Sequence, residues 1–180
     1  PVVDKDRGDL REVELKPFAA AVEAGIGMIM SSHVMFPAFD ETWPATMSRV
    51  LIKEQLRRKL GYRGVVISDD LEMRAVRGRW TLPVMLEQAT RASVDLFCIG
   101  RSFEPGLDHI AESWEILVRL QEDHQKLNKR AKTSLKRLRR LREAHMLHAP
   151  APPPLSVVGS RTNRQLASFV VSEGGEGHLV

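Results

Sequence analysis

Two neighbouring carboxylates directly follow an apolar run, and this is the first place where the sequence suggests chemistry. The run of residues 65–67 is β-branched throughout and ends at Ser68, Asp69 and Asp70. Three such residues in succession predict a short strand buried on both faces, as in a parallel sheet. Carboxylates at the end of a buried strand are costly unless something pairs or uses them. Both are therefore candidates for function, and the alternative is that one of them only caps the next helix.

A histidine follows a second apolar run. Residues 26–30 predict another buried strand, which ends at Ser31, Ser32 and His33. In barrels of alternating strands and helices, the carboxyl ends of the strands carry the chemistry. His33 is therefore a candidate binding residue, and the alternative is a structural histidine held by a backbone partner.

The spacing of these groups restricts the chemistry that they can do. Neighbouring residues on a strand point to opposite faces, so Asp69 and Asp70 cannot both face one substrate. One of them can attack a substrate, while the other orients the loop or caps the following turn. The spacing of His33, Asp69 and Asp70 matches no metal-ligand motif, so we expect no metal. The sequence contains no glycine-rich phosphate loop and no nucleophile elbow, and we expect no cofactor.

Helices alternate with the strands that must position these groups. A strand at 96–99 completes a set of three, and regular alternation implies parallel strands with right-handed crossovers. A full eight-stranded barrel needs about 250 residues, so the sequence predicts an α/β fold that is an open sheet or part of a barrel. The helix at 105–120 is expected to turn Ile110, Trp114, Leu117 and Val118 inward. The predicted helices cover residues 16–24, 49–60, 81–92, 105–120 and 125–145.

Composition narrows the class of protein. The chain has 180 residues, 43% of them hydrophobic, one cysteine and a net charge of +4. A single cysteine suits a reducing compartment, and no apolar run reaches the roughly 20 residues that span a bilayer. Residue 1 is proline, so an upstream segment is expected.

We predict a domain over 1–148 and a mobile Pro/Gly/Ser-rich tail over 149–180, with one short strand at 169–171.

Most of the basic excess lies in the helix at 125–145, which raises the alternative of a nucleic-acid-binding module. An apolar stripe at spacings of three and four predicts instead that this helix packs on the sheet with its basic face in water. Aromatic residues are absent between the charges, so there is no stacking platform. We expect neither nucleic acid nor a membrane as partner. The predicted stripe consists of Leu127, Ala131, Leu135, Leu138 and Leu141.

Three ordered motifs resemble a known family. The run GYRGVVISDDLEM at 61–73 resembles the signature of glycoside hydrolase family 3, and more closely that of its NagZ-type β-N-acetylglucosaminidases (β-hexosaminidases). ELKPFAAAVEAGIGMIMSSHVMFPAFD at 14–40 is similar to the preceding helix, strand and loop. WPATMSRVLIKEQLRRKLGY at 43–62 is similar to the segment between them. The resemblance is close over residues 1–101 and looser to about residue 142.

The resemblance implies roles for the candidate residues. Asp69 would be the nucleophile of a retaining glycosidase, which forms a covalent glycosyl-enzyme that water then hydrolyses. Asp70 and Ser68 would be structural at the site. His33 would bind the sugar, and Met73 would lie near its pocket. The implied substrates are N-acetylglucosamine-containing cell-wall fragments in the bacterial cytoplasm, with a β-glucosidase as the open alternative.

The chain also departs from the family pattern. The family's acid/base is a histidine, assisted by an aspartate, on a loop that precedes residue 1, and its Lys-His pair and sugar-binding arginine also lie upstream. His124, His145 and His148 match no such loop, and Ser93-Val94 stand where the family usually has Ala-Gly. The resemblance thus implies the C-terminal part of a TIM-type (β/α)8 barrel, strands six to eight, that is inactive alone. A non-catalytic barrel relative is the remaining alternative.

Overall fold

The computed structural model describes residues 1–100, 108–145 and 154–174, and it divides into two compact units, Pro1–Leu147 and His148–Val180. Within the first unit, three strands form one parallel sheet in the order β1 (Met28–Met30), β2 (Val65–Asp70) and β3 (Leu96–Cys98). The predicted three parallel strands are therefore confirmed. None of the helices in the described ranges is long and apolar enough to cross a membrane.

Strand β2 is longer than the sequence predicted, because it continues through the polar residues. Met28 pairs with Val65, Ile67 with Leu96, and Asp70 with Cys98. The buried Ser68 makes this extension possible, since its Oγ accepts a hydrogen bond from the Cys98 main-chain N–H at 2.9 Å. Between Ile67 and Asp70, however, three residue steps along β2 correspond to two along β3. The regular alternation that was assumed for Asp69 and Asp70 is therefore interrupted by a β-bulge-like irregularity at this strand end.

Glycines end two of the helices that flank the sheet, as the sequence predicted. Gly25 and Gly61 have φ angles of 77° and 73°, the left-handed conformation that glycine adopts without steric cost. Ser48 accepts a hydrogen bond from the Leu51 main-chain N–H at the start of one of these helices. The main helices of this unit are Lys16–Glu23, Val50–Lys59, Leu82–Ala92, His109–Asp123 and Gln125–His145, and the shorter segments are Arg7–Asp9, Leu10–Glu14, Ala45–Met47 and Arg74–Arg77.

The core lies on the side of the sheet that the helices cover. Ile29 and Val66 point into it from the strands, and Met85, Leu86 and Ala89 point into it from the helix Leu82–Ala92. Each of these side chains is almost fully buried. Removing so much apolar surface from water is the main source of stability of this unit.

The opposite side of the sheet, which we call the open face, is apolar and is uncovered along its two outer strands, β1 and β3. Its residues alternate with the core residues along the strands: Met28, Met30 and Leu96 are 41%, 52% and 37% exposed. Strands of a parallel sheet are normally buried on both faces. The open face is therefore the main departure of this unit from a closed domain.

The helix His109–Asp123 faces the core with different residues from those that the sequence predicted. Ile110 and Trp114 were expected to point inward, but they are 66% and 71% exposed. Instead His109 and Ser113 are buried, and Leu117 packs against the core as expected. The helix is rotated because His109 contacts the buried Glu72. The predicted start of this helix, at residues 105–107, lies outside the described residues.

An aspartate at the amino end of β3 forms a buried charge cluster, which we call the Asp95 cluster. Arg57 and Arg130 contact its carboxylate oxygens at 2.5 and 2.6 Å, and Arg137 lies at 3.0 Å. Ser134 donates to the same carboxylate at 2.8 Å. Burial and the neighbouring arginines lower the pKa of Arg57 to about 10, so it remains charged at neutral pH.

The Asp95 cluster also corrects the predicted apolar stripe of the helix Gln125–His145. Leu127 is buried as expected, but Leu135 is 53% exposed and Ser134 takes the inward position. The carboxylate of Asp95 holds Arg130 and Ser134 against the sheet, and this fixes the rotation of the helix about its axis. Polar contacts therefore decide which face of this helix is buried.

In the second unit, the described residues contain the helix Arg161–Gly174 and a short 3-10 turn, Leu155–Val157. The predicted strand at 169–171 is therefore wrong. The Ser160 Oγ accepts a hydrogen bond from the Asn163 main-chain N–H, which starts the helix. Residues 161–173 contain neither glycine nor proline, so nothing in this segment interrupts a helix once it has begun.

Candidate active site

The candidate site lies at the carboxyl end of β2, where Asp69 and Asp70 have different surroundings. Asp70 Oδ1 accepts hydrogen bonds from the main-chain N–H groups of Glu72 at 3.0 Å and Gly100 at 2.8 Å. These bonds tie the loop after β2 to the segment after β3. A Cβ at position 100 would collide with the Asp70 carboxylate, so this contact requires glycine. Asp70 is thus part of the framework of the site.

Asp69 has no comparable partners within the described ranges. Its Oδ1 accepts one hydrogen bond, from the adjacent Asp70 main-chain N–H at 2.8 Å, and it forms no ion pair there. Its side chain is half-buried at the strand end. A carboxylate that accepts so few hydrogen bonds keeps lone pairs available to attack an electrophile.

His33 supports the same strand end from β1. Its Nε2 lies 2.9 Å from the Asp70 carbonyl oxygen, and only 4% of the residue is exposed. Its Nδ1 is buried without a hydrogen-bond partner among the described residues. The structure therefore brings His33 to the candidate site, and the visible contact of its ring is with the backbone of Asp70.

Met73 and Ser68 lie on either side of the two aspartates. The Met73 main-chain N–H donates to the Asp70 carbonyl at 3.1 Å, while the residue is 43% exposed. Ser68 is fully buried and bonds the backbone of Cys98. Burial raises the pKa of the Cys98 thiol, and the nearby carboxylates of Asp70 and Asp69 raise it further. All five residues predicted for the site thus belong to one end of the sheet, and their assigned roles stay predictions.

The sequence did not reveal a buried pair beside this site. Glu72 Oε2 lies 2.9 Å from His109 Nδ1, and both residues have side chains less than a tenth exposed. Arg77 lies 3.7 Å from the same carboxylate oxygen. The pair anchors the loop after β2 to the helix His109–Asp123. No local pattern could have found it, because Glu72 and His109 are far apart in the chain.

Comparison with known proteins gives this arrangement a family. Residues 1–135 match the Glycosyl hydrolase family 3 N terminal domain. The chain belongs to glycosyl hydrolase family 3. The predicted resemblance is confirmed, and the three parallel strands with their helices are consistent with the α/β domain of that family.

The relatives of this family 3 chain carry consistent names. A beta-hexosaminidase of Nitrosomonas eutropha is 36% identical over 91 residues, which cover 51% of this chain and 26% of the relative. A beta-hexosaminidase of Chromobacterium violaceum is 33% identical over 99 residues, which cover 55% of this chain and 28% of the relative. The family 3 chain thus matches little more than a quarter of these relatives' length.

Solved structures agree with the family assignment. A glycoside hydrolase family 3 beta-N-acetylglucosaminidase from Paenibacillus sp. str. FPU-7 has a TM-score of 0.81 and 29% identity, over 96% of this chain and 33% of that chain. The beta-N-acetylglucosaminidase from Thermotoga maritima has a TM-score of 0.71 and 29% identity, over 78% and 30%. In both comparisons this family 3 chain corresponds to about a third of the solved chain.

Proposed function

We propose that this chain supplies the nucleophile of a retaining β-N-acetylglucosaminidase, and that the nucleophile is Asp69. The contrast between the two aspartates carries the proposal. Asp70 is occupied by two main-chain N–H donors from different segments, whereas within the described ranges Asp69 accepts one bond, from its neighbour. These different partners separate the two roles, because the Asp70 carboxylate joins two segments of the framework while the Asp69 carboxylate stays available to a substrate.

In the proposed reaction, an Asp69 carboxylate oxygen attacks the anomeric carbon as the glycosidic bond breaks. The electron pair of that bond leaves with the aglycone oxygen, which takes a proton from the acid/base. Water then attacks the glycosyl-aspartate ester, gives a proton to the same acid/base and releases the sugar with retained configuration. The hydrogen bonds from His33 and the Met73 N–H to the Asp70 carbonyl fix the backbone next to the nucleophile.

The acid/base in this proposal comes from outside the 180-residue chain. His33 and His109 are the two imidazoles that the described residues bring near the carboxyl end of β2, and both are about 5% exposed or less. His33 contacts a carbonyl and His109 contacts Glu72, so neither is free to reach a leaving group. Protonation of the leaving group typically contributes about 10²- to 10⁴-fold. We therefore propose that the chain alone is inactive.

The proposal extends to architecture, substrate and location. The apolar open face supports the C-terminal part of a (β/α)8 barrel, whose interior would cover it. The names of the relatives support terminal β-linked N-acetylglucosamine as the sugar. Cell-wall fragments as the source of that sugar are proposed from the resemblance of the three sequence motifs alone. A bacterial cytoplasmic location is consistent with the single cysteine.

The deciding experiment is covalent trapping on the complete protein. A slow 2-fluoro or 5-fluoro glycoside should leave a sugar adduct on the peptide that contains Asp69, which mass spectrometry would locate. Asp69→Asn should lower kcat by about 10⁴- to 10⁶-fold, the range for loss of a catalytic nucleophile. Asp70→Asn is the matched control, because an amide oxygen can still accept the bonds of that carboxylate.

Three outcomes would contradict the proposal. An adduct on another residue would remove Asp69 from its role as nucleophile. A larger loss of activity in Asp70→Asn than in Asp69→Asn would reverse the roles of the two aspartates. Clear hydrolysis of an aryl β-N-acetylglucosaminide by the 180-residue chain would show that the acid/base lies within it.

A further inference from the structure

A second concave site lies at the opposite ends of the strands from Asp69. It is a cleft of ≈ 340 Å³ between the amino ends of β1 and β2 and the last turns of the helix Gln125–His145. Small-molecule pockets usually measure about 300–1,000 Å³, so this cleft has room for a small ligand. Its polar lining is basic, and we call it the basic cleft: Arg63, Arg137, Arg140 and His145 contribute side chains, and four glycines, Gly25, Gly27, Gly61 and Gly64, contribute backbone.

The charge of the basic cleft is not balanced by acidic groups. Arg137 reaches from the cleft wall to the Asp95 cluster, where one carboxylate already faces three guanidinium groups. Arg63 and Arg140 form no hydrogen bond or ion pair with any other described residue. Across the described part of the chain, no aspartate or glutamate lines the cleft. Excess positive charge around a concave, partly desolvated space favours an anion.

The walls of the basic cleft approach one another closely at the glycines. A Cβ at position 27 would lie 3.0 Å from His145 Nε2, and a Cβ at position 64 would lie 2.6 Å from the Gly27 carbonyl oxygen. Glycine at position 27 therefore lets the helix end lie against β1, and glycine at position 64 lets the chain before β2 approach the chain before β1. This close packing places the basic side chains of the helix beside bare backbone rather than over open surface.

We propose that the basic cleft binds the phosphate group of a small phosphorylated molecule or free phosphate. Guanidinium groups match phosphate oxygens through paired, charge-assisted hydrogen bonds. Arg63 and Arg140 line the cleft with guanidinium groups that no described residue engages, and Arg137 adds positive charge while it is held by Asp95. The site is separate from the Asp69 chemistry and does not depend on it. A concave cleft of limited volume, with no exposed phenylalanine, tyrosine or tryptophan in its lining, fits a small anion better than a nucleic-acid strand.

The test is calorimetric titration of the 180-residue chain at constant ionic strength. Inorganic phosphate and glucose 6-phosphate are the two probes, so that free phosphate and a phosphomonoester are distinguished. The double variant Arg63→Gln, Arg140→Gln should weaken the binding of both probes at least about tenfold, because two charge-assisted bonds are lost. Both side chains are exposed, so we expect the fold to survive, and circular dichroism checks this.

Arg139→Gln is the matched control, because Arg139 is exposed on the same helix but does not line the basic cleft. It should change the affinity by less than about twofold, since distant exposed charges are screened by salt. Tighter binding of glucose 6-phosphate than of phosphate would assign a phosphomonoester, and the reverse order would assign free phosphate.

Three results would overturn the inference. The first is the absence of saturable binding of either probe to the unmodified chain. The second is an equal loss of affinity in Arg139→Gln and in the double variant, which would indicate only a diffuse basic surface. The third is binding of a single-stranded oligonucleotide that phosphate does not displace, with an equal loss of oligonucleotide affinity in all the variants.

Discussion

Asp95 accepts hydrogen bonds from three arginines, from Ser134 and from the Val66 main-chain N–H. Burial alone would raise the pKa of its carboxyl, but the charges of Arg130 and Arg57 outweigh burial and lower it. A carboxyl whose pKa is lower in the folded than in the unfolded state stabilises the fold above its unfolded pKa of about 3.9. That contribution is lost as the pH falls through the folded value.

We expect Asp95→Asn to lower the free energy of unfolding by about 3–5 kcal/mol at pH 7, because it leaves buried arginines without their counter-charge. The difference between variant and parent should shrink below about pH 4, because the unfolded chain then takes up a proton at this carboxyl while the folded chain still does not, and it should vanish below the lowered folded pKa. Urea denaturation at several pH values measures both effects. Glu87→Gln is the control, because Glu87 forms an exposed pair with Arg91 that contributes less than about 0.5 kcal/mol. An equal loss in both variants would contradict the prediction.

A second prediction at the residue scale concerns Ser93, which ends the helix Leu82–Ala92 with φ at 93°. A side chain in the left-handed region costs about 1–2 kcal/mol relative to glycine. The Ser93 hydroxyl has no hydrogen-bond partner among the described residues, so its removal leaves no group unpaired. Ser93→Gly should therefore raise the free energy of unfolding by about 1 kcal/mol. Gly61→Ser makes the reverse change at φ 73°, and denaturation should show a loss of similar size.

At the scale of the elements, polar contacts determine which helix faces are buried. The helix His109–Asp123 places His109 against Glu72, and the helix Gln125–His145 places Arg130 and Ser134 against Asp95. Trp114 of the first helix and Leu135 of the second fit the apolar spacing, but both are exposed. A partly polar helix can therefore be rotated away from the orientation that its apolar spacing predicts.

This rotation is testable with two residues of one helix. Trp114 is 71% exposed, whereas Leu117 packs against the core. Trp114→Ala should change the free energy of unfolding by no more than about 0.5 kcal/mol. Leu117→Ala should lower it by roughly 2 kcal/mol, because it leaves a cavity. Chemical denaturation compares the two variants. A larger loss of unfolding free energy in Trp114→Ala than in Leu117→Ala would indicate that the helix buries the face that the sequence predicted.

Local signals account for what could be predicted from the sequence. Buried strands show as β-branched runs, glycines such as Gly61 mark helix ends, and the end of an apolar run marks Asp69 and Asp70 as candidates. The contacts that build the site and the Asp95 cluster are not local. His33 contacts a carbonyl 37 positions away, and Arg57 contacts a carboxylate 38 positions away. No periodicity within one element encodes such pairs, so they required the structure.

At the scale of the whole molecule, the open face distinguishes the two sides of the sheet. Ile29→Ala should lower the free energy of unfolding by about 2–5 kcal/mol, because Ile29 is 6% exposed in the core. Met30→Ala should change it by less than about 1 kcal/mol, because Met30 is 52% exposed on the open face. Denaturation of the 180-residue chain measures both. Equal losses would mean that the open face is covered in solution.

The core on the helix side closes without any contribution from the open face. The segment that carries Asp69 can therefore hold this proposed nucleophile in place on a core of its own. Such a segment is a natural unit for split-enzyme complementation, in which two inactive polypeptides regain activity when mixed. It is also a unit that gene fusion could join to a different partner segment, so that the nucleophile is inherited while the sugar that it attacks changes.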